Sequence, residues 1–259
     1  MTSAAEQWRA ELAAWRIDDA ILAAAPETPY GFPPALFRPG ARDSASPLQA
    51  SARAALPDGG TVLDVGCGGG AASVPLVPPA AVLVGVDEAA SMLTEFRASA
   101  GAAGASVRTV QGRWPDVAAD VPSADMVVCA HVAYNVGDLV PFAAALTSHA
   151  RNRVVLELHA EHPWVPLGPL WQRVHHQPRP DGPTSDLAIA VLRDAGIDPT
   201  VEEWVRPAPD LRAPEVRGAL VAFTRRRLCL TPDRDAEVAA LLAEFPPPAR
   251  RSVVMSWRP

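Results

Sequence analysis

The chain contains no lysine; its side-chain cations other than histidine are all arginine. That absence excludes a Schiff-base lysine and a phosphate-gripping P-loop lysine. Cysteine is scarce as well. Cys67, Cys129 and Cys229 are scattered, odd in number and form no C-x-x-C pair, which fits a reducing compartment better than a disulfide framework. No uninterrupted apolar run is long enough to cross a bilayer, and the opening Met1-Thr-Ser-Ala-Ala-Glu-Gln-Trp8 lacks a basic segment leading into an apolar one. The expectation is a soluble cytoplasmic protein with no membrane partner. Excess positive charge is also missing. A net charge of -6 argues against a broad nucleic-acid surface. No internal repeat is present.

What is present centres on Thr61-Val-Leu-Asp-Val-Gly-Cys-Gly-Gly-Gly70, followed downstream by Val82-Leu-Val-Gly-Val-Asp87. An apolar run that breaks into glycines reads as a buried parallel strand with a sharp turn at its end, because glycine takes positive φ without penalty and lets a ligand approach the backbone. The second apolar run stops at an acid, where nucleotide-binding α/β folds place a carboxylate for ribose hydroxyls. The glycines alone satisfy the loose dinucleotide pattern G-x-G-x-x-G/A, which leaves a nicotinamide oxidoreductase open. Asp64 discriminates better, since D-x-G-x-G-x-G resembles the nucleotide loop of the class I S-adenosylmethionine-dependent methyltransferases.

The resemblance covers roughly residues 55–205 and the last strand. It implies a Rossmann-like α/β fold, with a seven-stranded, mainly parallel sheet in the order 3-2-1-4-5-7-6, the last strand antiparallel, and helices on both faces. It also implies S-adenosyl-L-methionine as cofactor and in-line transfer of its methyl group. The cofactor-binding residues it suggests are Asp64, Gly66, Cys67, Gly68 and Gly70 in the loop and Asp87, Glu88 and Met92 after the second strand. Gly112, Arg113 and Trp114 after the third, and Ala130 and His131 at the end of the fourth, complete the set. Related chains often carry an acid where this one has Arg113, and Trp114 offers either a stacking face for adenine or packing beneath the loop. Met92 at such a place is as well explained by the core.

Around that centre the chain reads as a single domain over 1–259. An N-terminal helical cap segment spans 1–56, a Rossmann-like core 57–206 and 251–259, and a helical insertion 207–250. Residues 4–25 show Trp8, Leu12, Trp15 and Leu22 on one helical face, and a helix follows over 46–56. Ala71–Leu76 is expected to be a short helix opened by the glycine loop, its N-terminus aimed at the cofactor's carboxylate. The N-terminal helices and the inserted pair are expected to cap the carboxyl edge of the sheet. Arg225-Arg-Arg227 reads as a solvated helix end.

His131 and Tyr134 are the polar side chains expected nearest the chemistry. A histidine there suits a general base at neutral pH, or a hydrogen bond to cofactor or backbone. Tyr30 and Phe32, in an aromatic proline-rich stretch, either line a substrate pocket or pin the segment to the core. After the fifth strand, Glu161-His-Pro-Trp-Val-Pro-Leu-Gly-Pro-Leu-Trp-Gln-Arg-Val-His-His176 and the later Gly182-Pro-Thr resemble a set of actinobacterial methyltransferase-like proteins. His162, Trp171 and His175 are expected to build a substrate pocket. The histidine spacings match no metal template, and no metal is expected. The reading is a methyltransferase acting on a small-molecule acceptor as a monomer or homodimer, with a cofactor-binding protein that transfers nothing as the alternative.

Overall fold

The computed structural model describes residues 2–31 and 46–259. Seven strands form one sheet: β1 (Thr61–Val65), β2 (Val82–Asp87), β3 (Ser106–Gln111), β4 (Ala124–Ala130), β5 (Ala150–His159), β6 (Thr200–Arg206) and β7 (Arg250–Trp257). Their order is β3-β2-β1-β4-β5-β7-β6, as the family resemblance implied. All neighbours pair in parallel except β7, which runs antiparallel to both β5 and β6. The chain leaves β1 for β2 on one side and returns from β3 to β4 on the other. A crevice therefore opens at the carboxyl ends of β1 and β4, where the connections diverge.

Nine α-helices are described: α1 (Ala4–Ala13), α2 (Asp19–Ala24), α3 (Pro47–Arg53), α4 (Ala90–Ala102), α5 (Leu139–His149), α6 (Gly168–His175), α7 (Ser185–Asp194), α8 (Pro214–Arg227) and α9 (Asp235–Glu244). Alternation along each strand sends side chains to two faces. On one face Leu63, Val127, Leu156 and Met255 pack with Phe142 and Leu146 of α5, Leu192 of α7 and Trp8 of α1. On the other, Val62, Val128 and Val155 pack with Leu48 of α3 and Phe96 of α4. A third cluster joins Ile17, Trp171 of α6, Val221 of α8 and Val238 of α9, elements that leave or enter the sheet at its carboxyl edge.

Four expectations change. The helix anticipated over 4–25 is broken between Ala13 and Asp19, where Asp18 caps a fresh helix by accepting from the Ala20 amide. The glycine loop opens no α-helix. Residues 71–73 are turns and Val74–Leu76 a single 3-10 turn, because Pro75 donates no amide and Pro78-Pro79 stop propagation. The N-terminal helices α1 and α3 lie on opposite faces of the sheet; α2 joins the apolar cluster at the edge. Finally, Arg225-Arg-Arg227 is not a solvated end. Arg225 bridges Glu27 at 3.2 Å and Asp235 at 2.8 Å, Arg226 meets Glu27 at 2.6 Å, and Arg227, 2% exposed, donates to the Pro29 carbonyl at 2.5 Å. The three arginines fasten the N-terminal segment to α8.

Candidate functional site at the carboxyl edge

The turn after β1 is held almost entirely by backbone. The Gly66 and Cys67 amides both donate to the Val86 carbonyl, at 2.8 and 3.0 Å, which bends the chain tightly against β2. Gly66 has φ 69 and a Cβ there would run into the Val132 side chain, so glycine is required twice over. The Gly68 amide donates to Asp87 Oδ2 at 3.0 Å, while the Ala89 amide donates to Oδ1 at 2.9 Å. The Gly112 amide caps the Asp87 carbonyl at 3.0 Å. Asp87 thus fixes the glycine turn, its own turn and the end of β3 together. It remains half-buried, and each of its oxygens has acceptor capacity beyond these bonds.

Asp64 lies beneath that turn, 1% exposed. Ser73 Oγ donates to its Oδ2 at 2.5 Å, whereas Oδ1 is buried with no partner. Burial raises its pKa to about 7, opposed by the Ser73 hydrogen bond and assisted by the charge of Asp87. A buried acceptor left unmet under a glycine cradle fits a ligand that brings its own donor or cation. Cys67 is buried and its thiol pushed up by that burial, so it is no nucleophile.

The expected rim residues divide. Glu88 and Arg113 sit together at 4.0 Å, both well exposed, and Arg113 donates to the Asn135 carbonyl at 3.3 Å. Met92 is buried on α4. Trp114 is 5% exposed with its edge toward His149 at 4.9 Å, so it packs in the core and presents no open face for an adenine.

At the ends of β4 and β5 side chains replace backbone as the building material. Ala130 closes β4, and His131 follows in a left-handed conformation, φ 60. Its amide donates to the Glu157 carbonyl at 2.7 Å, and its ring stacks on His159 with centroids 4.1 Å apart. Neither ring nitrogen makes a hydrogen bond among the described residues, but Nε2 stands 3.5 Å from Glu157 Oε1. Burial, then the charges of Arg206 and Arg250, lower the His131 pKa to about 3. His159, whose Nδ1 faces Ser252 Oγ at 3.2 Å, is also driven neutral by burial. Tyr134 is 5% exposed, and its hydroxyl donates to the His159 carbonyl at 2.8 Å.

The expected pocket of His162, Trp171 and His175 is not one site. His162 stacks on Trp15 at 3.9 Å and meets Tyr134 edge-on at 5.2 Å; burial lowers its pKa to about 3, and the Trp164 amide donates to its Nδ1 at 3.3 Å. Trp171 is 1% exposed in the apolar cluster of α6, α8 and α9, and His175 Nε2 is spent on the Leu228 carbonyl at 2.8 Å. The Arg179 guanidinium lies over both tryptophans, 5.1 Å from Trp15 and 4.7 Å from Trp171. Packing of the helical cap had the same sequence signature as a pocket. Tyr30 is half exposed and stacks on Trp164 at 5.6 Å; Phe32 lies outside the described residues.

Two participants escaped the sequence reading. Glu157, 3% exposed, sits in the otherwise apolar run Val154–Leu158 of β5, and an acid inside a strand buried on both faces was the available signal. Trp204 of β6 donates from Nε1 to Glu157 Oε1 at 3.1 Å. Among the described residues no group of three or more His, Cys, Asp and Glu is placed to hold a metal ion, and no helix is long and apolar enough to cross a membrane.

Comparison with known proteins agrees with this geometry. Residues 62–152 match the model of a methyltransferase domain. An S-adenosylmethionine-dependent methyltransferase of Thiobacillus denitrificans, solved with S-adenosyl-L-homocysteine, superposes with a TM-score of 0.54 at 18% identity, over 93% of this chain and 98% of that one. One from Geobacter sulfurreducens, solved with the same ligand, gives 0.52 at 19% identity, over 83% of this chain and 92% of that one. No curated protein matches the sequence. Residues 62–152 are thus similar to a methyltransferase domain, and the chain shares the fold of the solved S-adenosylmethionine-dependent methyltransferases.

Proposed function

We propose that the chain is an S-adenosylmethionine-dependent methyltransferase that acts on a small-molecule acceptor. One observation carries the reading: Asp87 ties the glycine turn to the end of β2 through the Gly68 amide, above a buried Asp64 oxygen with no partner. Gly66, Gly68 and Gly70 would give the cofactor a close approach to backbone. Asp87 would accept from ribose hydroxyls, and Asp64 would steady the loop and face the methionine end. Bound there, the cofactor supplies an activated methyl group on a sulfonium.

The protein's task is then to align an acceptor and exclude water, and orientation of this kind is worth about 7–11 kcal/mol in favourable cases. His131, at the adjoining strand end, is the polar group with unengaged nitrogens that would position the acceptor, whereas the Tyr134 hydroxyl is engaged by the His159 carbonyl. The acidic net charge favours a small acceptor over nucleic acid.

The test is calorimetric titration with S-adenosylmethionine, S-adenosylhomocysteine and NADH. Binding of both sulfur ligands without NADH supports the reading. Failure of both sulfur ligands to bind removes it.

A further inference from the structure

We propose that His131 and Glu157 form a proton-accepting pair for an acceptor hydroxyl, and that the acceptor is a small hydroxy acid whose negative charge meets Arg206 and Arg250. The inference rests on the cofactor reading above.

Sheet register brings the parts together. His159 pairs with Ser252 and Ser252 with Trp204; Glu157 pairs with Val254, and Arg206 with Arg250. By the period of two along each strand, Glu157, His159, Ser252, Arg250, Trp204 and Arg206 all emerge on one face at the carboxyl edge. Toward the middle of the sheet the same face carries Val128, Val155 and Val254, with Glu202 and Ser256 beside them.

Within the group, Glu157 Oε1 stands between two nitrogens, accepting from Trp204 Nε1 at 3.1 Å and facing His131 Nε2 at 3.5 Å. A carboxylate beside Nε2 favours the tautomer that carries its proton there. That leaves the Nδ1 lone pair buried and unengaged. His131 is also held in a left-handed conformation unfavourable for a non-glycine residue, with its amide donating to the Glu157 carbonyl at 2.7 Å. Strain kept at a strand end beside an unmet buried nitrogen is the pattern of a functional group.

The proposed step is a single proton transfer. The acceptor's O–H bond breaks, an N–H bond forms at His131 Nδ1, and the electron pair stays on oxygen, which becomes the nucleophile. The resulting imidazolium is stabilised by the Glu157 carboxylate; Glu157 is a positioning residue. Burial, and then the charges of Arg206 and Arg250, oppose a cationic His131. An acceptor carrying a carboxylate offsets that arginine charge and so makes His131 a stronger base in its presence.

Long-range proton–nitrogen NMR correlation on the S-adenosylhomocysteine complex reads the tautomer without turnover. The Nε2–H form of His131 is expected, and the Nδ1–H form overturns the pair. Titration of the same complex with para-hydroxybenzoate and its methyl ester tests the charge. The acid should bind at least about tenfold tighter, and Arg250→Met should erase the difference. Equal binding, or binding of neither, overturns the acceptor class.

For transfer to para-hydroxybenzoate, His131→Asn should lower kcat by about 100-fold or more, in the range of general-base losses, with KM nearly unchanged. An unchanged kcat overturns the step. Absence of S-adenosylhomocysteine binding would instead strike at the cofactor reading, so the two failures are separable.

Discussion

The two halves of the carboxyl edge are built differently. At β1 and β2 the site is made of backbone: glycine amides paired with the Val86 carbonyl and the Asp87 carboxylate, with only Asp64 Oδ1 left unmet. At β4, β5, β7 and β6 it is made of side chains: stacked rings, two imidazoles driven neutral, and His131 with both nitrogens unbonded. A backbone site tolerates almost no added atoms, and Asp64 is its one buried carboxyl group with a shifted pKa. A site of buried imidazoles tolerates substitution better but responds to protons.

The largest expected effect tests that response. His131 and His162 are held to a pKa of about 3 by burial, and His159 is lowered too. Each is neutral when folded but protonates near about 6.5 when unfolded, so its contribution to stability is full above that value and is lost as pH falls below it. Asp64 has the opposite sign. Its folded pKa of about 7 exceeds the unfolded value of about 3.9, so its share is full at low pH and lost as pH rises through about 7. With three histidines against one carboxyl, urea midpoints should fall between about pH 6.5 and 4, by several kcal/mol in total. A flat profile would mean that the histidine half is open to water and the contrast is false.

Next in size is Gly66→Ala. A Cβ colliding with Val132 at positive φ should cost about 2–4 kcal/mol of stability, combining overpacking with left-handed strain. Denaturant unfolding measures it, and a cost below about 0.5 kcal/mol, the range of an ordinary surface substitution, would break the description of the backbone half.

Asp87→Ala removes the acceptor shared by the Gly68 and Ala89 amides. Hydrogen bonds to a charged group are worth about 1.5–3 kcal/mol, so affinity for S-adenosylhomocysteine should fall about 10- to 100-fold by calorimetry. Arg113→Ala should do least. Its side chain is 58% exposed and its ion pair with Glu88 spans 4.0 Å, so stability should shift by less than about 0.5 kcal/mol. A larger loss of cofactor affinity would sharpen the comparison by adding a side-chain contact to the backbone half.

This difference in material also explains what the sequence could reveal. Thr61–Asp87 was readable because glycines and acids at strand ends leave a local pattern, and the strand order followed from the family resemblance. The short helix expected after the loop is shorter still, a single 3-10 turn, because Pro75 and Pro78-Pro79 interrupt it. Across the other half, contacts join residues far apart in the chain: Trp15 with His162, Trp204 with Glu157, Arg225 with Glu27. No spacing rule reports such pairs. Trp171 and His175 looked like pocket residues because an aromatic beside a histidine serves equally well in a packed cap. Arg227 looked solvated because nothing local announces the Pro29 carbonyl that receives it.

The turn after β1 that fails to become a helix has one more consequence. A dinucleotide lays its doubly charged bridge at the head of a full helix, whose aligned peptide dipoles act as roughly half a positive charge there. Here that counter-charge is reduced to one 3-10 turn, and the carboxyl groups of Asp64 and Asp87 stand at the turn. A phosphate anion brought to the glycine turn would therefore meet carboxyl groups with little helix charge to offset them, whereas a ligand presenting a cation and hydroxyls would not.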